Sequence, residues 1–196
     1  MISYVCGDLF DSQAQALVNT VNCVGIMGKG IALAFKKKYP DMYHHYKRDC
    51  ESGKIQPGIL TLYRNTDPWI INFPTKRHWK SPSRIEDIEA GLKDFIERYK
   101  EWHIASVAMP ALGCGHGGLD WKKVRPLMEK YLENLDINIE IYEPSFSSQK
   151  TEELVTTQIR SKEVWVESPT DLFGNSIGTA LKKRRKRRKL KEANAS

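Results

Sequence analysis

The sequence has no closely spaced cysteine pair, no long apolar run and no acidic residue within its most basic segment. Cys6, Cys23, Cys50 and Cys114 are scattered, which argues against a zinc site or a redox dithiol and favours a reducing compartment. No apolar run approaches the ~20 residues that a membrane span needs, and the start lacks the pattern of a signal peptide. We therefore expect a soluble intracellular protein that is not secreted and has no membrane association. We also expect no metal and no cofactor.

The positive charge is concentrated near the end of the chain. Residues 182–191, KKRRKRRKLK, hold nine of the 31 lysines and arginines, so the other residues carry 22 bases against 24 acids. The net charge of +7 therefore describes a tail, and the rest of the chain is slightly acidic. Such a run suits nuclear localisation or nonspecific phosphate binding.

Apolar runs alternate with helical patterns over the first 145 residues. Strands are predicted at residues 2–6, 15–22, 58–63, 69–74, 104–110 and 137–144, and helices from about residues 30, 41, 83 and 120. Ser83 and Glu86 have the spacing of a capping box, and Asp120 is placed to cap the last helix. The alternation predicts an α/β fold around a mixed or parallel sheet. We expect one domain at 1–145, a polar linker with at most one short strand at 146–181, and a disordered basic tail at 182–196.

Two glycine-rich loops follow predicted strands and open helices. NCVGIMGKGIA covers residues 22–32, and PALGCGHGGLDW covers residues 110–121. Glycine there lets backbone N–H groups approach an anion, and a helix N-terminus favours its negative charge. Neither loop has the phosphate-binding pattern that ends in Gly-Lys-Ser/Thr, and G-x-G-x-x-G is absent. The loops indicate a diphosphate held from two sides, with purely structural turns as the alternative.

Three further features each have two interpretations. Asp8, in CGDLF, either caps the turn after the first strand or contacts a ligand. Lys80, in FPTKRHWKSPSR at residues 73–84, is either a solvated charge that at most grips phosphate or a nucleophile. His116 lies in the second glycine loop, and it is either a ligand contact or a loop residue with no role in binding. Candidate nucleic-acid contacts are Lys76, Arg77, His78 and Trp79.

Four stretches together resemble the macrodomain family, whose members have an ADP-ribose-binding α/β/α fold. They are GDLF, NTVNCVGIMGKGIALAFKKKYP, INFPTKRHWKSPSRIEDIEAGL and MPALGCGHGGLDW, in the order of the family and within residues 1–145. Inside the family they are similar to the branch that holds the antitoxin DarG and the terminal ADP-ribose protein glycohydrolase. The resemblance implies a three-layer α/β/α domain with a mixed central sheet.

The resemblance also implies roles for individual residues. Asp8 matches the aspartate that receives the adenine amino group, Asn22 the asparagine beside the distal ribose, and Lys80 the catalytic lysine. Gly117 stands where the protein glycohydrolase has an aspartate, which favours the DarG-like comparison and leaves the proton-transfer partner of Lys80 open. The implied ADP-ribose-binding residues are Asp8, Leu9, Asn22, Gly25, Ile26, Met27, Gly28, Gly30, Ile31, Gly113, Cys114, Gly115, His116, Gly117 and Gly118.

The implied function is hydrolytic removal of ADP-ribose from nucleic acid, specifically from a base in single-stranded DNA, in an antitoxin or repair role. The alternatives are removal of ADP-ribose from acidic protein side chains and non-catalytic reading of ADP-ribose. Lys80 would attack the ring-opened distal ribose as a neutral amine, and we expect burial against Trp79 and the nearby Lys76, Arg77 and His78 to favour that form.

The same resemblance implies the partners of the chain. They are ADP-ribose, ADP-ribosylated DNA and a DNA ADP-ribosyltransferase toxin. We expect a monomer in the cytoplasm, or in the nucleus if the host is eukaryotic and the basic tail is a localisation signal.

Overall fold

The computed structural model describes residues 1–144, which form six strands, four α-helices and one 3-10 helix. The strands are β1 (Ile2–Val5), β2 (Ala16–Asn22), β3 (Thr61–Tyr63), β4 (Trp69–Lys76), β5 (Ser106–Pro110) and β6 (Asn138–Tyr142). The helices are α1 (Gly30–Lys38), α2 (Pro40–Glu51), α3 (Ile85–Arg98) and α4 (Trp121–Leu132), with a 3-10 helix at Leu9–Asp11. Within this range no helix has both the length and the hydropathy to cross a membrane. The predicted linker and basic tail lie outside the described residues.

The strands form one mixed sheet in the order β1-β6-β5-β2-β4-β3. All neighbouring pairs are parallel except β3 and β4, which are antiparallel. In the centre, β2 and β4 pair from Ala16 opposite Trp69 to Asn22 opposite Lys76, with a register shift after Val21. Because parallel strands end at the same edge of a sheet, the segments that follow β1, β2, β4 and β5 all leave from one side.

Helices cover both faces of the sheet. Because side chains alternate along β2, Ala16 and Val18 point to one face of the sheet and belong to one hydrophobic cluster, which also contains the buried apolar side chains of α3 and α4. Leu17 and Val21 enter a second cluster with the buried side chains of α1 and α2. The prediction of a three-layer α/β/α fold with a mixed central sheet is confirmed.

The two predicted helix caps have different outcomes. Asp120 caps α4 as expected, because its side chain accepts a hydrogen bond from the Lys122 N–H at 3.0 Å. The predicted capping box at Ser83 is wrong, since the N-cap of α3 is Arg84 and has no side-chain cap bond. The Ser83 N–H instead donates to the Gly117 carbonyl at 2.9 Å. Packing against the second glycine loop therefore takes Ser83 out of the helix start.

The strand predicted from residue 58 begins only at Thr61. Gly58 has a φ of +79°, and the Ile59 N–H donates to the Gln56 carbonyl at 3.0 Å, so the chain turns before it can enter the sheet. A buried carboxylate oxygen of Asp94 then accepts a hydrogen bond from the Leu60 N–H at 2.9 Å. These contacts fix the entry to β3.

Candidate functional site

The candidate site lies where four segments leave the carboxyl edge of the sheet. Asp8 follows β1, the first glycine loop follows β2, the turn with Lys80 follows β4, and the second glycine loop follows β5. The first glycine loop and the Lys80 turn start side by side, because the Cys23 N–H donates to the Lys76 carbonyl at 3.1 Å. The topology thus brings together the segments in which the sequence-predicted site residues lie.

Asn22 fixes the conformation of the first glycine loop. Its side-chain oxygen accepts hydrogen bonds from the N–H groups of Val24 at 3.0 Å and Ile26 at 3.3 Å, and its amide nitrogen donates to the Ile26 carbonyl. The buried Tyr46 hydroxyl donates to the Asn22 carbonyl at 2.7 Å, and burial raises the pKa of Tyr46. Asn22 is therefore a loop-shaping residue here, and its contact with the distal ribose stays a prediction.

The other residues of the first loop divide between the core and the surface. Met27 is buried in the same cluster as Leu9, whereas Ile26 is 43% exposed. Gly28 and Gly30 are exposed, Gly25 is buried with a φ of +78°, and Ile31 is half-buried. The N-cap of α1, Lys29, makes no side-chain cap bond, so the first N–H groups of the helix remain available to an anion.

The second glycine loop packs tightly against the start of α3. A Cβ atom on Gly117 would lie 2.2 Å from the Gly113 carbonyl oxygen and 2.3 Å from Ser83 Oγ. The Leu119 N–H donates to that same Gly113 carbonyl at 3.1 Å. Ser83 Oγ is buried and has no hydrogen-bond partner in the described part of the chain. In this conformation of the loop, only glycine fits at position 117.

The two glycine loops meet at His116. A Cβ atom on Gly30 would lie 2.9 Å from His116 Cδ2, so the imidazole packs directly on the start of α1. The Lys76 ammonium donates to the His116 carbonyl at 2.6 Å. The end of β4 therefore holds the tip of the second loop against the first, with Gly115, His116 and Gly118 exposed around the contact.

The turn with Lys80 is tied to α3 through Arg77. Two hydrogen bonds join the Arg77 guanidinium to Asp87, Nε to Oδ2 at 3.1 Å and Nη2 to Oδ1 at 2.9 Å. Asp87 is buried, and its hydrogen bond and charge raise the pKa of Arg77. The turn is closed by His78, whose Nδ1 accepts from the Lys80 N–H at 3.2 Å and whose carbonyl accepts from the Ser81 N–H at 3.0 Å.

The expected burial of Lys80 is wrong. Lys80 and Trp79 are both exposed, although the Lys80 ammonium does lie 5.0 Å from the centroid of the Trp79 ring. The expected cationic surroundings are also altered, because Lys76 is bonded to the His116 carbonyl and Arg77 to Asp87. The physical reason is that the turn is anchored on its Arg77 side, so that Trp79 and Lys80 project away from the core.

Asp8 makes the contact of a turn cap. Its Oδ1 accepts a hydrogen bond from the Phe10 N–H at 3.0 Å and so begins the 3-10 helix, which the sequence pattern did not predict. The carboxylate is exposed at the carboxyl end of β1. Its contact with an adenine stays a prediction. Within residues 1–144, no group of three His, Cys, Asp or Glu side chains is arranged to hold a metal ion.

The cysteines of the two loops are predicted to be poor nucleophiles. Burial raises the pKa of Cys23 and of Cys114 to about 11, with a further contribution from Cys50 at the first thiol and from the Asp120 carboxylate at the second. Because the thiolate is the reactive form, both thiols are protonated and unreactive at neutral pH.

We expect iodoacetamide at pH 7 to label the exposed Cys6 first, and labelling of Cys23 and Cys114 to accelerate as the pH approaches 11. Peptide mass spectrometry over a time course measures this order. Labelling of Cys114 as fast as Cys6 at pH 7 would contradict it.

The sequence model of the Macro domain family matches residues 18–128. The chain is 47% identical over 157 residues to the DNA ADP-ribosyl glycohydrolase of Mycobacterium tuberculosis, and the alignment covers 78% of this chain and 45% of that protein. It is 42% identical over 162 residues to the DNA ADP-ribosyl transferase-DNA ADP-ribosyl glycohydrolase fusion protein of Thermosipho africanus, covering 73% of this chain and 42% of that one. The chain thus spans less than half the length of these curated relatives.

Solved structures give the same result. The macrodomain of Thermus aquaticus DarG matches with a TM-score of 0.70 and 46% identity, over 74% of this chain and 99% of that one. Thermosipho africanus DarTG in complex with ADP-ribose matches with a TM-score of 0.71 and 44% identity, over 74% of this chain and 42% of that one. The sequence and structure comparisons agree on one family.

Proposed function

This chain belongs to the Macro domain family, and on that premise we propose that it is a hydrolase that removes ADP-ribose from modified DNA. The observation that carries the proposal is the convergence of both glycine loops and the Lys80 turn at one edge of the sheet. His116 packs on Gly30, and Lys76 binds the His116 carbonyl. A diphosphate held by the two loops would place its attached sugar at the same edge as Lys80.

We propose that backbone N–H groups of the two loops bind the diphosphate. The uncapped start of α1 supplies a positive helix end, and the glycines at 25–30 and 113–118 leave the backbone open to an anion. Asp8, at the end of β1, would then receive the adenine. These assignments carry the predicted ADP-ribose-binding residues forward as one site.

DNA is the favoured carrier of the modification because of the names of the relatives and the shape of the second loop. The Mycobacterium tuberculosis and Thermosipho africanus relatives are both named for DNA ADP-ribosyl glycohydrolase activity. Gly117 replaces the aspartate of the protein-directed branch, and the contacts with Gly113 and Ser83 leave no space for any side chain there. Removal of ADP-ribose from proteins is therefore the weaker alternative.

Lys80 is the proposed nucleophile. The bond between the anomeric carbon and the ring oxygen of the distal ribose would break as that oxygen takes up a proton. The Lys80 amine would then form a bond to the anomeric carbon, and the base would leave from that carbon with the proton that the amine loses, which gives the imine. Water would then hydrolyse the imine, which releases ADP-ribose and regenerates the lysine. Since Lys80 is exposed, the bound substrate itself would have to exclude water from the amine and so favour its neutral form.

A DNA ADP-ribosyltransferase is the proposed functional partner. The Thermosipho africanus relative is named as a fusion of such a transferase with the glycohydrolase, which supports an antitoxin-like role. A cytoplasmic location belongs to the same proposal. The role of the basic run at 182–191 in DNA binding or nuclear localisation stays a prediction, because these residues lie outside the described part of the chain.

The proposal is tested by comparing two modified substrates. We expect the wild-type protein to release ADP-ribose from ADP-ribosylated single-stranded DNA at least about tenfold faster than from a protein modified on acidic side chains. Chromatography of released ADP-ribose over time measures both rates, and calorimetry with free ADP-ribose checks the binding site. Faster release from protein would favour the protein-directed alternative. Binding of ADP-ribose without release from either substrate would leave a non-catalytic reader.

A further inference from the structure

The segments at the carboxyl edge of the sheet expose apolar side chains. Val24 and Ile26 of the first glycine loop are 44% and 43% exposed, and Trp79 of the Lys80 turn is 48% exposed. The two segments leave the sheet side by side, through the hydrogen bond between Cys23 and Lys76. Exposed apolar side chains on two adjoining segments of a candidate site point to this side of the molecule as a binding surface.

Trp79 is presented to solvent by a turn that is anchored on both sides of it. Arg77 is fixed to the buried Asp87 carboxylate, and His78 closes the turn through the N–H groups of Lys80 and Ser81. The His78 ring also stacks on the indole, with 5.6 Å between centroids and 29° between planes. Trp79 is therefore half-exposed on a turn that hydrogen bonds fix, and a fixed turn lowers the entropic cost of a contact with it.

We propose that the exposed surface of Trp79 stacks on a nucleobase next to the ADP-ribosylated one in a single strand. This inference rests on the proposed function and adds a contact with the unmodified part of the substrate. A nucleobase has flat apolar faces, and Trp79 offers a large aromatic side chain that is 48% exposed. Stacking of bases on aromatic side chains is a usual means of binding single strands without regard to sequence.

The same contact would distinguish single strands from duplexes. In a duplex both faces of each base are covered by the neighbouring base pairs, so that a base can stack on Trp79 only after it is unstacked. Single-stranded DNA offers these faces without that cost. The structure therefore assigns to Trp79 a role in substrate preference, separate from the covalent chemistry of Lys80.

The test compares an ADP-ribosylated oligonucleotide with the ADP-ribosylated nucleoside that nuclease and phosphatase digestion makes from it. Stacking on an aromatic residue is worth about tenfold in affinity per base. We therefore expect Trp79→Ala to raise KM for the oligonucleotide about tenfold more than KM for the nucleoside. Trp79→Phe, which keeps an aromatic face, should keep the ratio of the oligonucleotide KM to the nucleoside KM within about threefold of the wild-type ratio.

Tyr4→Ala is the matched control, because Tyr4 is a 36% exposed aromatic residue beside a cation, Arg125. It lies on β1, an outer strand of the sheet that β6, β5 and β2 separate from β4. This variant should leave the ratio of the two KM values unchanged.

An equal fall in kcat on both substrates with Trp79→Ala, with both KM values unchanged, would mean that Trp79 acts only through Lys80 and would overturn the inference. Slower release by Trp79→Ala from a modified protein but not from DNA would also overturn it. If the wild-type protein acts on neither DNA substrate, the proposed function itself fails and the inference with it.

Discussion

Replacing Lys80 by alanine should slow the release of ADP-ribose from single-stranded DNA by at least about a hundredfold. Loss of a covalent nucleophile raises the barrier of the chemical step, and a hundredfold corresponds to about 2.7 kcal/mol. Lys80 is exposed, and no hydrogen bond or ion pair of its ammonium is present within residues 1–144. The melting temperature should therefore stay at the wild-type value. Single-turnover rates and thermal unfolding curves measure the two quantities.

Lys80→Arg separates a nucleophile from an anion contact. Arginine keeps the positive charge and the hydrogen-bond donors, but it does not become neutral and cannot form the imine. We expect this variant to be as inactive as Lys80→Ala. A variant that keeps most of the wild-type rate would instead show that Lys80 binds phosphate or the DNA backbone. Lys100→Ala is the matched control, because the Lys100 ammonium also lies beside an aromatic ring, 5.8 Å from the Tyr99 centroid, just beyond the opposite end of α3.

A methyl group at Gly117 should disrupt the second glycine loop and abolish the binding of ADP-ribose. The new Cβ atom would lie within 2.3 Å of both the Gly113 carbonyl oxygen and Ser83 Oγ. Since one of these is a backbone atom, the loop itself must move, and overpacking of this kind costs about 1–3 kcal/mol. Gly117→Ala should therefore lower the melting temperature, and calorimetry should detect no binding of ADP-ribose because the loop is displaced.

Gly115→Ala is the control for this effect on stability. No atom outside the adjacent residues lies within 4 Å of a Cβ atom built on Gly115, so its melting temperature should be close to that of the wild type. Gly117→Asp meets the same obstruction as Gly117→Ala and should be at least as destabilised. A Gly117→Ala protein that melts and binds ADP-ribose like the wild type would show that the second loop is not packed against Ser83 as described.

The strands and the two glycine loops could be predicted because they depend on local sequence pattern. The apolar run of β2 between Gln15 and the first glycine loop marks a strand buried on both faces, as its residues confirm. Glycine after such a strand predicts a loop with an unusual backbone, and Gly25 and Gly113 do have positive φ values. The layer order and the mixed sheet followed from the family resemblance.

The contacts that shape the candidate site could not be predicted, because they join residues that are distant in the sequence or ambiguous in role. Ser83 has the spacing of a helix cap, yet its N–H binds the Gly117 carbonyl. Arg77 was one of several cations in a row, and no pattern indicated that Asp87 pairs with it. Lys80 is exposed in the turn that this pair joins to α3, so the expected burial is wrong, and the packing of the turn on α3 is a long-range contact that no local pattern predicts.

The most direct test is the mass of an ADP-ribosylated single-stranded oligonucleotide before and after incubation with the wild-type protein. We expect the mass to fall by that of one ADP-ribosyl group, with the unmodified oligonucleotide and free ADP-ribose as the products. The Lys80→Arg protein should leave the mass unchanged under the same conditions. An oligonucleotide that keeps its modification in the presence of wild-type protein, while that protein binds free ADP-ribose, would contradict the hydrolase and identify an ADP-ribose-binding protein without this activity.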